Sequence, residues 1–238
     1  MIPGILAAAV ARAVSTDDVR SLMLGMGPTA YYRHAEPSGS LVMMDETGKY
    51  HGAYTAPGNG GYPSLYDGGP TAMAGGLGVG LRAFADRDLP TSNAVTLTTI
   101  VRLSNVTATR PIGIVVDNGS PRQYQWRTNS GVVEFVRINN FVGPTQTVSL
   151  GAALAENETY FLALVIESSG AARMYVDGSL AGIAAIDPMS FGGAATKMSI
   201  GYSSGMAAFA DGYFSESALF PRALSAQEIL RLARAAGF

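Results

Sequence analysis

Residues 171–182 read AARMYVDGSLAG, and this stretch decides the fold. Residues 174–176 are typical of an extended strand, and residues 180–186 have the composition of its partner strand. Between them, Asp177 and Gly178 both tolerate the positive φ that a two-residue turn requires. The stretch therefore predicts a β-hairpin.

Further strands are predicted on the N-terminal side of this hairpin. In residues 95–103 apolar residues alternate with polar ones, which predicts a strand with one buried face. Residues 111–116 predict another strand, and residues 123–127 and 132–137 predict a second hairpin. Residues 160–167 are almost continuously apolar, which favours a position in the middle of a sheet.

Two short helices are predicted at the ends of this series of strands. Residues 15–18, STDD, have the composition of a helix N-cap, and the helix is expected to continue through Met23 and to end at Gly25. Near the C-terminus, Ser225 and Glu228 have the spacing of a capping box, in which each side chain accepts from the backbone of the other.

An apolar segment precedes the first helix. Residues 1–14 carry a single charged side chain, so we expect another surface to cover them. We assign residues 1–27 to a helical arm and residues 28–238 to the main domain. The arm folds against its own domain or docks on a neighbouring subunit or larger assembly. The residues expected to make this contact are Ile2, Ile5, Leu6 and Val10.

Composition limits the classes of protein to which the chain can belong. The 238 residues include 29 glycines and no cysteine, which fits one turn-rich β domain without thiolate metal sites. Residues 55–80 concentrate glycine and proline, so we expect an ordered loop there, with a brief strand near Leu65 and Tyr66.

Charge and hydropathy exclude two further classes. The formal net charge is -2 and the sequence shows no basic stripe, so a nucleic acid is not expected as a partner. No apolar run approaches the roughly 18–20 residues of a membrane-spanning helix. Residues 11–13, ARA, fit a signal-peptide cleavage site, but no basic residue precedes the apolar run.

The order of these motifs resembles the laminin-G-like, concanavalin A-type jelly roll. That family places a "lYvDG" hairpin before an "iG" strand, an "f.G.i..v.iy" strand and an "raLs..Ei" helix start. Here the corresponding residues are 174–178, 198–202, 211–214 and 218–229. The resemblance implies an all-β fold: a two-sheet antiparallel jelly-roll sandwich, here with an N-terminal helical arm and a short C-terminal helix.

The block of residues 28–48 resembles the opening of jelly-roll modules in phage virion and bacterial surface proteins. The matching residues are Pro28, Tyr31, Arg33, Glu36, Gly39, Asp45 and Gly48. The resemblance implies a non-enzymatic structural or binding module of a virion, such as a minor tail, fibre or capsid-decoration protein. Its partners would be other virion proteins or further copies of itself, as in a trimer, and a host-surface glycan. We expect Arg33, Glu36 and Asp45 to form structural polar contacts.

Two alternatives to a virion module remain open. Jelly rolls that hydrolyse β-glucans carry an E-x-D-x-x-E strand whose carboxylates all face the cleft, and this motif is missing. The acid pairs Asp86–Asp88 and Glu156–Glu158 have the period-2 spacing but lie in loop-like stretches. A divergent glycan hydrolase would depend on Asp86 or Glu134. The second alternative is a secreted lectin-like adhesin of the bacterial cell surface.

Tyr124 and Trp126 are the candidate ligand-binding residues, because they share one face of a predicted strand. They form a stacking platform for a sugar ring, or they pack in the core, where large aromatic residues contribute most burial. The two histidines, His34 and His51, form no predicted catalytic or zinc arrangement and are expected on the surface or on strands.

The resemblance also implies a candidate calcium site at one rim of the sandwich. No loop shows a diagnostic calcium spacing, so we expect no resident cofactor. The candidate oxygen ligands are Asp86, Asp88, Asp117 and Asn118.

Overall fold

The computed structural model describes residues 18–54, 57–75, 81–82, 94–117, 122–139, 146–187, 196–203 and 208–238. Within these residues the chain forms two helices, α1 (Val19–Gly25) and α2 (Ala226–Ala235). The strands are β1 (Ala30–Tyr32), β2 (Val42–Met43), β3 (Gly52–Tyr54), β4 (Asn59–Tyr62), β5 (Ala72–Gly75), β6 (Leu81–Arg82), β7 (Val95–Leu103), β8 (Arg110–Asp117), β9 (Arg122–Asn129), β10 (Val132–Asn139), β11 (Gln146–Ala153), β12 (Thr159–Ile166), β13 (Ala171–Val176), β14 (Ser179–Ala185), β15 (Thr196–Ile200), β16 (Tyr202–Ser203), β17 (Ala208–Phe209) and β18 (Gly212–Phe220).

The strands form two large antiparallel sheets. Sheet A has the order β14-β13-β12-β7-β18-β5-β4, and β1 also pairs with β18. Sheet B has the order β11-β10-β9-β8-β15-β6-β3-β2, while β16 and β17 form a small ribbon. This arrangement confirms the predicted all-β, two-sheet antiparallel jelly-roll sandwich.

The Asp177–Gly178 turn joins β13 and β14 as the sequence predicts. Both residues have positive φ, 51° at Asp177 and 79° at Gly178. The Asp177 carboxylate accepts a hydrogen bond from the backbone N–H of Phe161 at 2.9 Å, which ties the turn to β12. A Cβ atom at Gly178 would lie 3.0 Å from side-chain atoms of Leu230 and Ala233. Helix α2 therefore packs directly on this hairpin.

The main core lies between the two sheets. Its largest side chains are fully buried and come from both sheets; they include Trp126, Phe135, Met174 and Phe214. At one side of the sandwich the edge strands β11 and β14 meet closely. A Cβ atom at Gly182 would lie only 1.9 Å from the Leu150 carbonyl oxygen, so glycine is required at this crossing.

A second apolar cluster covers the outer face of sheet A. Both helices contribute to it, with Met23 from α1 and Leu232 from α2, and they pack against Phe161 and Phe220 of the sheet. Because of this cover, β7 is buried on both faces, whereas the sequence predicts burial on one face only. The Thr98 side chain is 1% exposed and donates to the Met23 sulfur at 3.9 Å.

The glycine-rich region contains more structure than predicted. Strands β4 and β5 lie within it and pair with each other at the edge of sheet A, whereas Leu65 and Tyr66 lie outside any strand. Pairing with the existing sheet overrides the low strand propensity of glycine. At Gly60 a Cβ atom would lie 2.2 Å from the Glu36 carbonyl oxygen, so the glycine permits a close backbone approach.

The short helix predicted within the arm is confirmed. Helix α1 begins at Val19, and its N-cap Asp18 accepts from the backbone N–H of Arg20. Residues 1–17 lie outside the described residues, and with them the predicted contact residues Ile2, Ile5, Leu6 and Val10.

Candidate functional site

A buried carboxylate, Glu216, is the centre of a polar cluster on sheet A. It lies in a bulge of β18, with a φ of 52° and no solvent exposure. Its oxygens accept from the hydroxyls of Tyr31 and Tyr66 and, at 3.1 Å, from the Arg33 guanidinium. Burial, followed by the nearby Glu216 charge, raises the pKa of both tyrosines far above the usual range. The cluster ties β1 and the segment after β4 to β18.

Beside this cluster the structure brings His34 and Ser217 together, an arrangement that the sequence analysis missed. The two residues are 183 positions apart, and His34 Nε2 lies 3.0 Å from Ser217 Oγ, which is 2.9 Å from Thr99 Oγ1. This is the distance expected between a nucleophile and its general base. However, His34 and Ser217 have no solvent exposure, and the cavity lined by Thr99, Trp126 and Ser217 measures about 10 Å³. That volume accommodates one water molecule and no substrate.

The acids of the opening block make the structural contacts that the sequence predicts. Glu36 accepts from the Tyr54 hydroxyl and from the Met44 backbone N–H, both at 2.6 Å. Asp45 accepts from the Tyr31 backbone N–H at 2.8 Å and closes the turn that follows it. Burial raises the pKa of the Asp45 carboxyl, but the hydrogen bonds from Thr47 and from backbone N–H groups outweigh burial and hold it below its ordinary value.

Tyr124 and Trp126 lie in the core between the sheets. Each is 1% exposed, and the Tyr124 ring centroid lies 5.4 Å from that of Phe135. A ring enclosed by the sandwich cannot stack on a sugar at the surface. The structure therefore places both residues in the core, and the platform interpretation does not fit their burial.

The remaining predicted ligands cannot be assembled into a site. Asp86, Asp88 and Asn118 lie outside the described residues, and Asp117 ends β8 with its side chain outside them. Within the described part of the chain, no group of three histidine, aspartate or glutamate side chains lies close enough to hold a metal ion. Nor is any helix of that part long and apolar enough to cross a membrane.

On sheet B, Glu134 forms a polar network with its cross-strand neighbours. One carboxylate oxygen accepts from Arg127 Nη2 at 2.9 Å, and the other accepts from Asn129 Nδ2 at 3.0 Å. Across β8, β9, β10, β11 and β15, the sequence places acids only at Asp117 and Glu134. The facing carboxylate pair that glycoside hydrolysis needs is thus not seen among the described side chains of these strands.

A different part of sheet A presents aromatic and cationic side chains to solvent. Arg102 of β7 is directly opposite Thr159 of β12 and Tyr213 of β18, so the three side chains share the outer face. The Tyr62 ring of β4 lies 4.8 Å from the Tyr213 ring at an interplanar angle of 57°. Tyr66 packs on the same outer apolar cluster as Tyr62 and Tyr213. We call this surface the tyrosine face and define it as Tyr62, Tyr66, Arg102, Thr159 and Tyr213.

The helices leave the tyrosine face open. Thr98 and Ile100 of β7 are buried under the helical cover, but Arg102 is partly exposed, as is every other residue of the face. A partly exposed tyrosine offers an apolar ring and a hydroxyl, and arginine offers a planar set of N–H donors. A sugar ring has apolar C–H faces and polar edges, so this combination suits it.

Sequence reasoning missed the tyrosine face because its residues come from distant segments. Tyr62 lies in the glycine-rich region, which shows no strand periodicity, and Tyr213 lies near the C-terminus. Only the pairing of β4 with β5, and of β5 with β18, brings the two rings together. The one signal in the sequence is Arg102, a charged residue flanked by the apolar residues Val101 and Leu103.

Comparisons with known proteins identify the family and the fold. A family model described as the concanavalin A-like lectin/glucanases superfamily matches residues 79–230, more than half of the chain. A search of curated proteins finds no match.

Among solved structures, the chain is similar to domain 4 of AbnA, a GH43 extracellular arabinanase from Geobacillus stearothermophilus, in complex with arabinotriose. The TM-score is 0.63 at 17% identity, over 87% of this chain and 98% of that domain. It is also similar to the binding domain of botulinum neurotoxin DC in complex with SialylT, with a TM-score of 0.62 at 13% identity, over 88% of this chain and 51% of that one. At these identities the likeness shows the fold.

Proposed function

This chain belongs to the concanavalin A-like lectin/glucanases superfamily, and from this premise we propose that it is a non-catalytic module that binds carbohydrate through the tyrosine face. The observation that carries the proposal is the Tyr62–Tyr213 ring pair beside Arg102, on the part of sheet A that the helices leave open. Partly exposed aromatic rings in register with a guanidinium provide both stacking and hydrogen bonding for one ligand.

The hydrogen bonds and ion pairs of Glu216 and Glu134 support binding without hydrolysis. Glu216 is fully buried and accepts from three side chains, so it has no access to a glycosidic bond. Glu134 is held by Arg127 and Asn129 on sheet B, away from the tyrosine face. Glu216 is the only acid that the sequence places on the strands of sheet A, and the strands of sheet B contain only Asp117 in addition to Glu134, so no catalytic pair is seen among the described side chains of these strands.

The comparison with the arabinanase domain supports a binding module that spans the chain. That domain was solved with an oligosaccharide, and the present chain covers nearly all of it. The toxin binding domain, solved with SialylT, has the same fold on a larger chain. Fold alone does not determine function, so the tyrosine face carries the proposal and the comparisons support it.

The test is to measure binding of the full chain to a glycan array and to determine affinities of the hits by calorimetry. We expect Tyr213→Ala and Tyr62→Ala each to weaken binding about tenfold or more, because each removes a stacking ring. Tyr50→Ala, at a partly buried tyrosine that packs on the main core instead, is the matched control and should bind normally. Equal loss in all three variants would contradict the assignment of the site.

The hydrolase alternative is tested on the same glycans. We expect no release of reducing sugar from any polysaccharide that the chain binds. Release that Glu134→Gln or Asp86→Asn abolishes would overturn the non-catalytic part of the proposal.

We further propose that the module belongs to a phage virion, with other virion proteins or copies of itself as partners and a host-surface glycan as ligand. The resemblance of residues 28–48 to the opening of virion jelly rolls supports this setting. The alternative setting is a secreted or cell-surface adhesin. Mass spectrometry of purified particles and of the culture medium distinguishes them, because the virion proposal requires the chain in particles at stoichiometric amounts.

A further inference from the structure

Arg102 differs from most other arginines of the described chain in its pairing. Its Nε donates to Thr159 Oγ1 at 2.9 Å, which holds the guanidinium on the tyrosine face. Within the described residues no carboxylate forms an ion pair with it, although six other arginines have such a partner. The pairs are Arg20–Glu46, Arg33–Glu216, Arg110–Asp211, Arg127–Glu134, Arg173–Glu167 and Arg222–Glu228.

The described acids that adjoin the tyrosine face, in sequence or through the Glu216 cluster, form no ion pair with Arg102. Glu216 is committed to Arg33, and Asp211 pairs with Arg110 at 3.7 Å. Asp67 follows Tyr66 and Glu158 precedes Thr159, but both carboxylates are exposed, so solvent and salt screen them. The tyrosine face therefore keeps a partly exposed positive charge next to two aromatic rings.

From this charge we infer that the ligand of the tyrosine face is an acidic glycan whose carboxylate binds Arg102. The inference rests on the proposed function and narrows it to sugars that carry a carboxylate, such as uronic or sialic acids. A guanidinium matches a carboxylate with two parallel N–H donors, and its hydrogen bond to Thr159 orients this planar group. The ring of the same sugar would then stack on Tyr213, which is directly opposite Arg102.

The experiment compares each acidic oligosaccharide with its methyl ester, which keeps the sugar and removes the charge. Probes are oligogalacturonate, oligoglucuronate and sialyllactose, each with its ester, measured by calorimetry on the full chain. For the glycan that binds, we expect the acid to bind about tenfold or more tightly than its ester, as charged hydrogen bonds contribute. The ratio of the acid affinity to the ester affinity should fall when the salt concentration is raised from about 50 mM to about 500 mM.

Variants assign the preference to one guanidinium. Arg102→Gln should remove the preference for the acid, so that acid and ester bind the variant with equal affinity. Arg102→Lys keeps the charge but not the two parallel donors, so it should retain part of the preference. Arg173→Gln is the matched control on the same face of sheet A; its guanidinium is already paired with Glu167, and the preference should persist.

Each outcome decides a separate claim. If acid and ester bind the unmodified chain equally, the inference fails and the proposed glycan-binding function stands. If Arg173→Gln abolishes the preference as completely as Arg102→Gln, the site is misplaced and the inference fails. If no acidic or neutral glycan of the panel and the array binds, the proposed function fails and the inference with it.

Discussion

His34 is a histidine enclosed in the sandwich beside Ser217, and its environment fixes its protonation. Burial lowers its pKa from the ordinary value of 6.5 to about 4, and the charge of Glu36 opposes this shift only in part. Its φ of 59° places it in the left-handed region, which asparagine also tolerates. The side chain is therefore neutral at physiological pH.

This burial predicts a loss of stability in mild acid. Between pH 6.5 and about 4 the unfolded chain binds a proton at His34 that the folded chain does not. The free energy of unfolding therefore falls as the pH is lowered through this window, by about 3 kcal/mol in total. Urea denaturation at pH 7, 5.5 and 4 measures this fall in the free energy of unfolding.

The control for this prediction is His34→Asn, which removes the titrating ring and keeps the backbone conformation available. We expect the variant to be less stable than the natural chain at pH 7 but to lose less stability between pH 7 and pH 4. An identical pH dependence in the two proteins would show that other groups cause the loss.

Among the elements, the β13–β14 hairpin and helix α2 stabilise each other. The turn needs positive φ at Gly178, and the absent side chain also leaves room for Leu230 and Ala233 of α2. The helix has its own local support, since Ser225 and Glu228 form the predicted capping box. The Arg222 hydrogen bond, more than the opposing burial, lowers the pKa of Glu228 to about 2 and keeps this carboxylate charged.

Substitution at Gly178 separates the need for positive φ in the turn from the need for space beside α2. We expect Gly178→Ala to destabilise the protein by about 2–4 kcal/mol, because backbone strain adds to a clash with α2. Gly48→Ala is the matched control: its φ is +73°, but its Cβ would meet no atom within 4 Å. The Gly48→Ala variant should lose about 1–2 kcal/mol of unfolding free energy, as measured by chemical denaturation. Equal losses for the two variants would mean that α2 adjusts freely to the hairpin.

At the scale of the whole molecule, the outer face of sheet A is covered only in part. Helices cover much of the outer face of sheet A and leave the tyrosine face open, while residues 1–17 precede α1. The first fourteen of these residues carry one charged side chain, so we expect them to assemble the chain with other subunits.

Light scattering tests this expectation on the full chain and on a chain that starts at Ser15. We expect the full chain to form oligomers and the shortened chain to be monomeric. A full-length variant with Ile5→Asp and Leu6→Asp is the control, and it should also be monomeric. If the unmodified full chain is a monomer, the assembly role of the arm is wrong.

Local signals in the sequence were sufficient for the hairpins, the helix caps and the fold class. The Asp177–Gly178 turn and the Ser225–Glu228 capping box form as predicted, and the N-cap of the first helix is Asp18, the last residue of the predicted 15–18 cluster. Each depends on residues within a few positions of one another, so the physical cause is contained in a short stretch. The order of such stretches then sufficed to identify the jelly roll.

The tertiary structure alone decided which side chains meet and which are exposed. Tyr66 and Glu216 are 150 positions apart, and His34 and Ser217 are 183 apart. Strand alternation placed Tyr124 and Trp126 on one face but left open whether that face is core or surface. Register between distant strands and the cover from helices settle such questions, because they depend on how far-separated segments pack. The tyrosine face exists only at that level.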